Sequence, residues 1–260
     1  MTRRQPESHQ EPVVQRIRLR YARRGPLRFT SHRDFARAFE RAVARAQVPV
    51  AFSHGFTPHP RISYVGAAPT GTSSEAEYLE IALRRRVEPE WLRAALDAAL
   101  PPGLDVLAAV EAGTSGFAER VEASHWRVEL PGVDPEALRQ AVDAFRAATE
   151  VPVERLTKQG RRRVDVRSAV VRLAAEAVPS EVGAAQCAIL DLVVRQVTPT
   201  VRPDDILSGL RVMVGLEPPV PARATRLAQG TLTEQGEIVD PLLAEHVQVV
   251  TGAPPAGTTA

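Results

Sequence analysis

Hydrophobic and polar residues alternate at the start of the chain and then adopt a longer period. Ile17, Leu19 and Tyr21 are separated by arginines, which is typical of a strand with one buried face. After the break at "RGPLRFT", apolar residues recur on one face of a helix, namely Phe35, Phe39, Ala42, Val43 and Ala46. Ser31 and Asp34 form a capping-box pattern that predicts the start of this helix.

The rest of the first half continues with two strands, a helix and a strand. "RISYVGAAP" and "YLEIAL" have the composition of strands. Pro89 predicts the start of a second helix, which buries Leu92, Leu96 and Leu100, and "LDVLAAV" is a short apolar strand. The predicted order is β-α-β-β-α-β.

The same order recurs in the second half, without residue identity between the halves. "HWRVEL" predicts a strand, and Asp134 with Pro135 predicts the start of a helix. "VPVERLTKQGRRRVDVRSAVVRL" predicts a hairpin turning at "TKQG", and "CAILDLVVRQV" a buried strand. A helix after Pro203 and the strand "ARATRLAQG" complete the pattern. We therefore expect an α+β protein of two tandem ferredoxin-like domains, with antiparallel sheets and helices on one face.

Composition shifts predict the domain boundaries. Residues 1–12 are expected to be a disordered tail, 13–112 the first domain and 113–123 a linker. Residues 124–230 are expected to form the second domain, and 231–260 an acidic, partly disordered C-terminal segment.

Cysteine content and hydropathy limit the class of protein. Cys187 is the only cysteine, so neither an intrachain disulfide nor a cysteine-ligated metal or cluster is possible within this chain. The sequence has no apolar run that could span a bilayer and no secretory signal, so we expect a cytoplasmic protein without membrane partners.

Positive charge is concentrated at the start of the chain, although the net charge is only +2. Residues 1–50 contain 12 Arg and 4 acidic residues. On the first helix a stripe of arginines recurs every fourth residue, preceded by Arg28: Arg33, Arg37, Arg41 and Arg45. Glu40 is the only acid after the first turn, so most of these arginines lack a helical ion-pair partner. The stripe is either a solvated face or a surface for an anionic partner, RNA or an acidic protein.

The segment "SHGFTPHPRIS" predicts a loop, because Gly55, Pro58 and Pro60 oppose regular structure. One interpretation is a structural turn, and another is a site in which His32, His54 and His59 bind metal or supply a general base. The third is a recognition loop, in which Phe56 stacks on a base while His59 and Arg61 contact phosphate or sugar.

Two further sets of charged residues are candidates for a functional site. Lys158 and Arg161, Arg162 and Arg163 lie at the predicted hairpin tip, where they are either merely solvated or contact a nucleic-acid backbone. Glu75 and Glu77 follow a loop that lacks the phosphate-binding glycine pattern. They are candidates for acid–base chemistry, but we expect them to pair with the arginine stripe.

Three pieces of the first half together resemble a known family. They are "LRFTSHRDFARAFERA", with Ser31 and Asp34; "FSHGFTPHPRIS", with Gly55, Pro58 and Pro60; and "SEAEYLEI", with Glu75, Glu77 and Tyr78. Within residues 16–83 the chain resembles the radical-SAM-linked domain family, an uncharacterised bacterial family. Its members are free-standing or follow cobalamin-binding radical SAM proteins. Free-standing members are encoded beside genes for RNA processing and ribosomal proteins.

The resemblance implies a separately encoded radical SAM partner and a link to RNA or ribosome-associated assemblies. The iron–sulfur cluster and S-adenosylmethionine, with or without cobalamin, are expected only in that partner, because a radical SAM cluster needs three cysteines. We expect a non-catalytic accessory module that binds RNA or presents a substrate for RNA or ribosome modification or processing. The alternatives are a metal-independent endoribonuclease, with His32, His54 or His59 as base, and a protein-interaction domain.

The purified protein is expected to contain no stoichiometric iron or zinc, because Cys187 is alone and the histidine spacing does not match a known ligand pattern. Elemental analysis of the native protein measures this. One metal per chain that is lost on changing His54 or His59 would contradict the prediction.

Overall fold

A computed structural model describes residues 12–54, 56–157, 160–177 and 186–245. Within these ranges the chain is a mixed α+β protein with four α-helices and eleven strands, most of which pair antiparallel. The described residues form two compact units. Residues 12–71, 77–117 and 242–245 make up the first unit, and residues from 72–76 and 118–241 the second. The change from one unit to the other at residues 117 and 118 lies inside the segment predicted to be a linker.

The first unit contains the six elements that the sequence predicts, in the predicted order. They are β1 (Gln15–Arg23), α1 (His32–Arg45), β2 (Ile62–Val65), β3 (Ser73–Leu83), α2 (Pro89–Ala99) and β4 (Leu104–Glu111), with a 3-10 helix at Gly25–Phe29. Strand β1 lies between β4 and β3, and β2 pairs antiparallel with β3. The strand order is therefore β4-β1-β3-β2.

The predicted helix face of α1 packs on the predicted buried face of β1. The rings of Tyr21 and Phe35 are stacked with centroids 4.8 Å apart, and Phe35 also contacts Phe39 at 5.9 Å. Leu79 and Leu92 are fully buried in the same core. Since burial of apolar surface is the main favourable term in folding, this face determines how α1 lies on the sheet.

The helix starts are also where the sequence predicts them. Ser31 is the N-cap of α1, and its hydroxyl oxygen accepts a hydrogen bond from the Asp34 backbone N–H at 3.2 Å. Helix α2 begins at Pro89, whose missing N–H costs nothing in the first turn. In the second unit, the Asp134 carboxylate caps α3 through the Ala137 N–H at 3.2 Å.

The second unit contains the remaining elements. They are β5 (Ala123–Pro131), α3 (Pro135–Ala147), β6 (Pro152–Thr157), β7 (Gly160–Asp165), β8 (Val170–Ala177), β9 (Cys187–Arg195), α4 (Pro203–Val214), β10 (Arg223–Leu232) and β11 (Ile238–Val239). The strand order is β10-β5-β9-β8, with β11 on β10. Residues 73 and 74, at the start of β3, also belong to this unit and pair in parallel with residues 225 and 226.

The hairpin predicted to turn at "TKQG" is present as β6 and β7, in which Thr157 lies opposite Gly160. The structure corrects its extent, because the last residues of the predicted segment belong to a third strand, β8. Strands β6 and β7 form a separate two-stranded sheet, and the strand that pairs with β9 is β8. Asp165 causes the break, because its carboxylate accepts hydrogen bonds from the N–H groups of Val151 at 2.8 Å and Arg167 at 3.0 Å. An aspartate that binds backbone donors in this way ends a strand and starts a turn.

The ends of the chain are described only in part. The predicted disorder of residues 1–12 and of the end of 231–260 falls mostly outside the described residues, which begin at Pro12 and end at Glu245. Inside the segment 231–260, Ile238 and Val239 form β11, and Leu242 and Glu245 are buried. Among the described helices, none has the length and hydrophobicity needed to cross a bilayer.

Two phenylalanines allow a matched test of this core. Phe39→Ala is expected to lower the free energy of unfolding by about 3–5 kcal/mol, because Phe39 is 1% exposed and its removal leaves a cavity. Phe56→Ala is expected to change it by less than about 0.5 kcal/mol, because Phe56 is fully exposed. Urea unfolding followed by circular dichroism measures both, and equal losses would contradict the described packing.

Candidate nucleic-acid interface

The exposed face of α1 carries three arginines that have no partner among the described residues. Arg33, Arg37 and Arg41 are exposed, and within the described part of the chain they make no hydrogen bond or ion pair. Arg33 and Arg41 are eight residue steps apart, or about 12 Å along the helix axis. Like charges four residues apart repel one another by a few tenths of a kcal/mol, so an anion placed along this face would be stabilising.

Arg45 is the exception within the predicted stripe. Its Nη1 donates a hydrogen bond to the carbonyl oxygen of Ala99 at 2.9 Å, at the C-terminal end of α2. A guanidinium at this position satisfies a carbonyl that has no partner within its own helix. Arg45 therefore links α1 to α2, and the stripe available to a ligand consists of Arg33, Arg37 and Arg41.

Tyr64 is a functional candidate that the sequence analysis missed. It lies on β2, three residues after Arg61, and its ring packs edge-on against His32 at 4.9 Å and against Phe35 at 5.7 Å. Its hydroxyl is buried and has no hydrogen-bond partner among the described residues. Burial, followed by the charge of Glu40, raises the pKa of the Tyr64 phenol well above its ordinary value, so the group remains a neutral donor.

The histidine loop is closed at its base and open at its tip. The backbones of Phe52 and Pro60 form a bridge, and the Ser53 N–H donates to the His59 carbonyl at 2.8 Å. The Ser53 hydroxyl accepts from the His59 N–H at 3.0 Å. These bonds give residues 53–59 a defined base, which fits both the structural interpretation and the recognition interpretation. Gly55 lies outside the described residues.

The tip of the loop presents its side chains to solvent. Phe56, His54 and His59 are exposed, and Arg61 is exposed where the loop leads into β2. Neither imidazole makes a side-chain hydrogen bond to another described residue. The structure therefore contains a solvent-facing aromatic ring flanked by two titratable groups and a guanidinium.

His32 is placed on Tyr64, at the start of α1, rather than in a described contact with His54 or His59. Where the structure describes the chain, it contains no group of three histidine, cysteine, aspartate or glutamate side chains able to hold a metal ion. His32 contacts Tyr64 of β2, the strand that begins immediately after Arg61 of the loop.

The half-buried Arg28 and the exposed Phe29 form a cation and aromatic pair. The Arg28 guanidinium lies over the Phe29 ring at 4.5 Å from its centroid, and Phe29 is 62% exposed. The Gly71 N–H donates to the Arg28 carbonyl at 2.7 Å and holds this turn in place. Arg28 was predicted to bind an anion, whereas Phe29 was not predicted as a site residue. Its position next to Arg28 in "PLRFT" could have indicated that the two side chains act together.

Two acidic residues of "SEAEYLEI", Glu75 and Glu77, are at least half-buried and help to hold the fold together. Glu77 is 2% exposed, and its carboxylate accepts a hydrogen bond from the Ala68 N–H at 3.2 Å. Tyr78 is buried and packs edge-on against Phe117 at 6.1 Å, and Glu75 is half-buried. The expected pairing of Glu75 and Glu77 with the arginine stripe is not found, since the stripe forms no ion pair among the described residues.

The basic hairpin is partly neutralised by acids on the facing strand and nearby. Arg161 lies 3.3 Å from Glu154, and Arg163 lies 4.0 Å from Glu150. Both pairs are exposed and contribute little to stability. Arg162 has no such partner within the described ranges, and Lys158 lies outside them. The net positive charge of this tip is therefore smaller than the sequence suggests.

The sheet of the second unit carries an ionic cluster that the sequence analysis also missed. His125 Nε2 lies 2.5 Å from Asp191 Oδ2, and Arg172 Nε donates to Asp191 Oδ1 at 2.9 Å. Burial alone would raise the pKa of Asp191, but the contacts with His125 and Arg172 outweigh burial and lower that pKa. These groups are on three neighbouring strands and neutralise one another, which is the pattern of a structural cluster.

Two recesses formed by described residues lie away from the predicted site. One of about 470 Å³ is lined by α4 and the proline-rich residues 216–222. Another of about 500 Å³ is lined by Pro12, Gln47, Pro49, Arg84 and Arg85. Neither is lined by the three α1 arginines or by the loop. The candidate interface is an open surface, which suits a macromolecule better than a small substrate.

Comparison with known proteins gives one informative match. Residues 16–203 match the model of a family described as "Uncharacterized protein conserved in bacteria (DUF2344)". No curated protein matches the chain. A crystal structure of an unknown protein from Galdieria sulphuraria is 16% identical and covers 82% of this chain and 98% of its own, with a TM-score of 0.23. A similarity at this TM-score supports no statement about fold or function.

The buried Tyr64 hydroxyl leads to a stability prediction. Tyr64→Phe is expected to raise the free energy of unfolding by about 1 kcal/mol, because it removes a buried donor that has no protein acceptor. Chemical denaturation of the ligand-free protein measures this. A loss of stability greater than about 1 kcal/mol would show that the hydroxyl has a partner in the free protein.

Proposed function

The chain belongs to this uncharacterised bacterial family, and from that premise we propose that it is a non-catalytic RNA-binding module that presents RNA to a separate enzyme. The family supplies no activity, so the support for this proposal comes from the surface of the first unit. We also propose that the protein acts in the cytoplasm.

We further infer that each unit is a ferredoxin-like domain. The strand orders β4-β1-β3-β2 and β10-β5-β9-β8 support this inference, because they are equivalent when the strands of each unit are numbered along the chain without the β6–β7 hairpin. In each unit two helices occupy the corresponding positions in chain order. The fold supports many functions and therefore does not by itself identify RNA as the ligand.

The three unpaired arginines of α1 carry the RNA proposal. A solvated helix face is usually supported by pairs of opposite charge, whereas Arg33, Arg37 and Arg41 have no such partners among the described residues. Guanidinium groups bind phosphate oxygens through two parallel hydrogen bonds. A row of three along about 12 Å therefore favours a polyanion with regularly spaced phosphates.

Exposed aromatic rings in the same unit support RNA over an acidic protein. Phe56 at the loop tip and Phe29 beside Arg28 offer flat apolar surfaces to solvent. Single-stranded RNA presents unstacked bases that stack on such rings, and this stacking tolerates many sequences. The neutral Tyr64 hydroxyl would supply a hydrogen bond to a ribose or phosphate oxygen after a local rearrangement.

The surroundings of the histidines support binding rather than cleavage. A histidine that acts as general base is normally oriented by a third group. His54 and His59 have no such partner among the described residues, and His32 packs its ring against Tyr64. We therefore assign His59, together with Arg61, to RNA contact.

The radical SAM partner remains a proposal that rests on the resemblance of residues 16–83 to the radical-SAM-linked domains. In this proposal the iron–sulfur cluster and S-adenosylmethionine, with or without cobalamin, belong to the partner. A chain with Cys187 as its single cysteine cannot ligate such a cluster alone.

Changing the arginines is expected to reduce the salt dependence of RNA binding. In a variant with glutamine at positions 33, 37 and 41, the slope of log K against log[salt] should fall by about two, at roughly 0.7 per phosphate contact of a single strand. A matched variant with glutamine at the exposed positions 139, 146 and 211 controls for net charge. Equal slopes in the two variants would assign the α1 face to solvent or to a protein partner.

The loop distinguishes binding from cleavage. Phe56→Ala is expected to weaken RNA binding by about 1–3 kcal/mol, because it removes a stacking surface without affecting the core. His59→Ala should weaken binding as well, and neither variant nor the native protein should cleave RNA. Binding is measured by fluorescence anisotropy and products by gel. Metal-independent cleavage that yields 2′,3′-cyclic phosphates, and is lost in a histidine variant that still binds, would establish the nuclease instead.

A further inference from the structure

A buried carboxylate near the end of the described chain lies in a cradle of donors. Glu245, which is 3% exposed, packs within the first unit. Its Oε1 accepts hydrogen bonds from Arg18 Nη1 and, at 2.6 Å, from Thr114 Oγ1. Its Oε2 accepts from the backbone N–H groups of Gly113 at 2.8 Å and Thr114 at 3.1 Å. Each oxygen therefore has at least two donors.

Most contacts that orient the cradle do not involve Glu245. Arg18 Nε donates to Glu80 at 3.0 Å, and Arg18 Nη2 donates to the Thr114 carbonyl at 2.6 Å. The guanidinium also lies over the Phe117 ring at 4.5 Å from its centroid. These contacts hold the plane of the guanidinium, so its Nη1 would remain directed at the same position if the carboxylate left.

Residues 242–245 supply the carboxylate. A turn at Leu242 leads into helical residues 243–245, and the Glu245 N–H donates to the Leu242 carbonyl at 3.0 Å. Leu242 and Glu245 are the buried anchors of this segment, whereas Leu243 is 52% exposed. In the described part of this segment, one apolar side chain and one carboxylate are buried, and a segment with few buried anchors opens locally at low cost.

We propose that the cradle of Arg18, Gly113 and Thr114 is a carboxylate-binding site, and that residues 242–245 are its internal, displaceable occupant. An acidic segment of a partner protein would replace them and open this face of the first unit. This inference is independent of the proposed RNA-binding function, because it involves neither α1 nor the histidine loop.

Charge balance favours a carboxylate over a phosphate. Arg18 already shares its single positive charge with Glu80, and Arg16 pairs with the same Glu80 at 2.9 Å. Without Glu245, these three groups carry a net charge of +1, which matches a monoanion. A phosphate dianion would leave an excess negative charge in a buried place, where it is strongly unfavourable.

Because residues 242–245 already occupy the site, an external ligand is expected to bind to it with low affinity. A segment tethered to the same chain competes at an effective concentration in the millimolar range. The apparent affinity of an external acidic segment is reduced by the fraction of molecules in which residues 242–245 are displaced. Removing the Glu245 carboxylate should therefore strengthen, and not weaken, the binding of an acidic peptide.

The test uses a fluorescein-labelled, C-terminally amidated peptide with the sequence of residues 238–245, "IVDPLLAE", and a control peptide that ends in Gln. Full-length Glu245→Ala protein is expected to bind the Glu peptide at least tenfold more tightly than the native protein does. It should also bind the Glu peptide at least tenfold more tightly than the Gln peptide. Adding Thr114→Val to Glu245→Ala should weaken binding of the Glu peptide severalfold, because two donors converge on each oxygen in the intact cradle.

Circular dichroism must show that each variant is folded, and Glu245→Gln replaces Glu245→Ala if the alanine variant does not fold. A folded variant that binds neither peptide, or binds both equally, would overturn the proposal and leave Glu245 as a structural anchor only. Native protein that binds the Glu peptide as tightly as the variant would overturn the internal occupancy. Competition by inorganic phosphate that exceeds competition by acetate at equal ionic strength would overturn the carboxylate assignment.

Discussion

The packing of α1 on β1 is the interaction on which the rest of the first unit depends. Tyr21 and Phe35 stack face to face in the core, and this contact sets the rotation of α1 about its axis. With the apolar stripe turned inward, Arg33, Arg37 and Arg41 must point to solvent. The same packing brings Tyr64 against the helix, so the buried core and the candidate interface share one set of aromatic rings.

Buried charge imposes a second constraint on this unit. Arg18 and Glu77 are almost fully buried, and a buried charge is tolerated only when hydrogen bonds and opposite charges replace water. Arg18 therefore contacts Glu80 and Glu245, and Glu77 binds the backbone of the loop at Ala68. Glu77, a candidate for acid–base chemistry in the sequence, thus has a position that the fold explains.

Local patterns predicted the first unit better than the second. Some features depend only on neighbours within a few residues and can therefore be predicted from the sequence. They are the cap at Ser31, the first turn at Pro89 and the alternation in β1. The hairpin β6–β7 was predicted from its turn at "TKQG", but the separate strand β8 was missed, because "RRRVDV" and "AVVRL" both have the composition of strands. Only the turn at Asp165 and the pairing with β9 decide which of them joins the larger sheet.

The sequence by itself determined the element order of the first unit, the helix starts, the position of the exposed arginines and the absence of any cysteine pair, because each follows from short-range periodicity or from composition. Tertiary structure alone decided which polar groups have partners. Arg45 binds a carbonyl of α2, Tyr64 buries its hydroxyl, and Glu245 reaches Arg18 across more than two hundred residues of chain. Such partnerships depend on where distant elements meet, and neither periodicity nor composition along the chain carries that information.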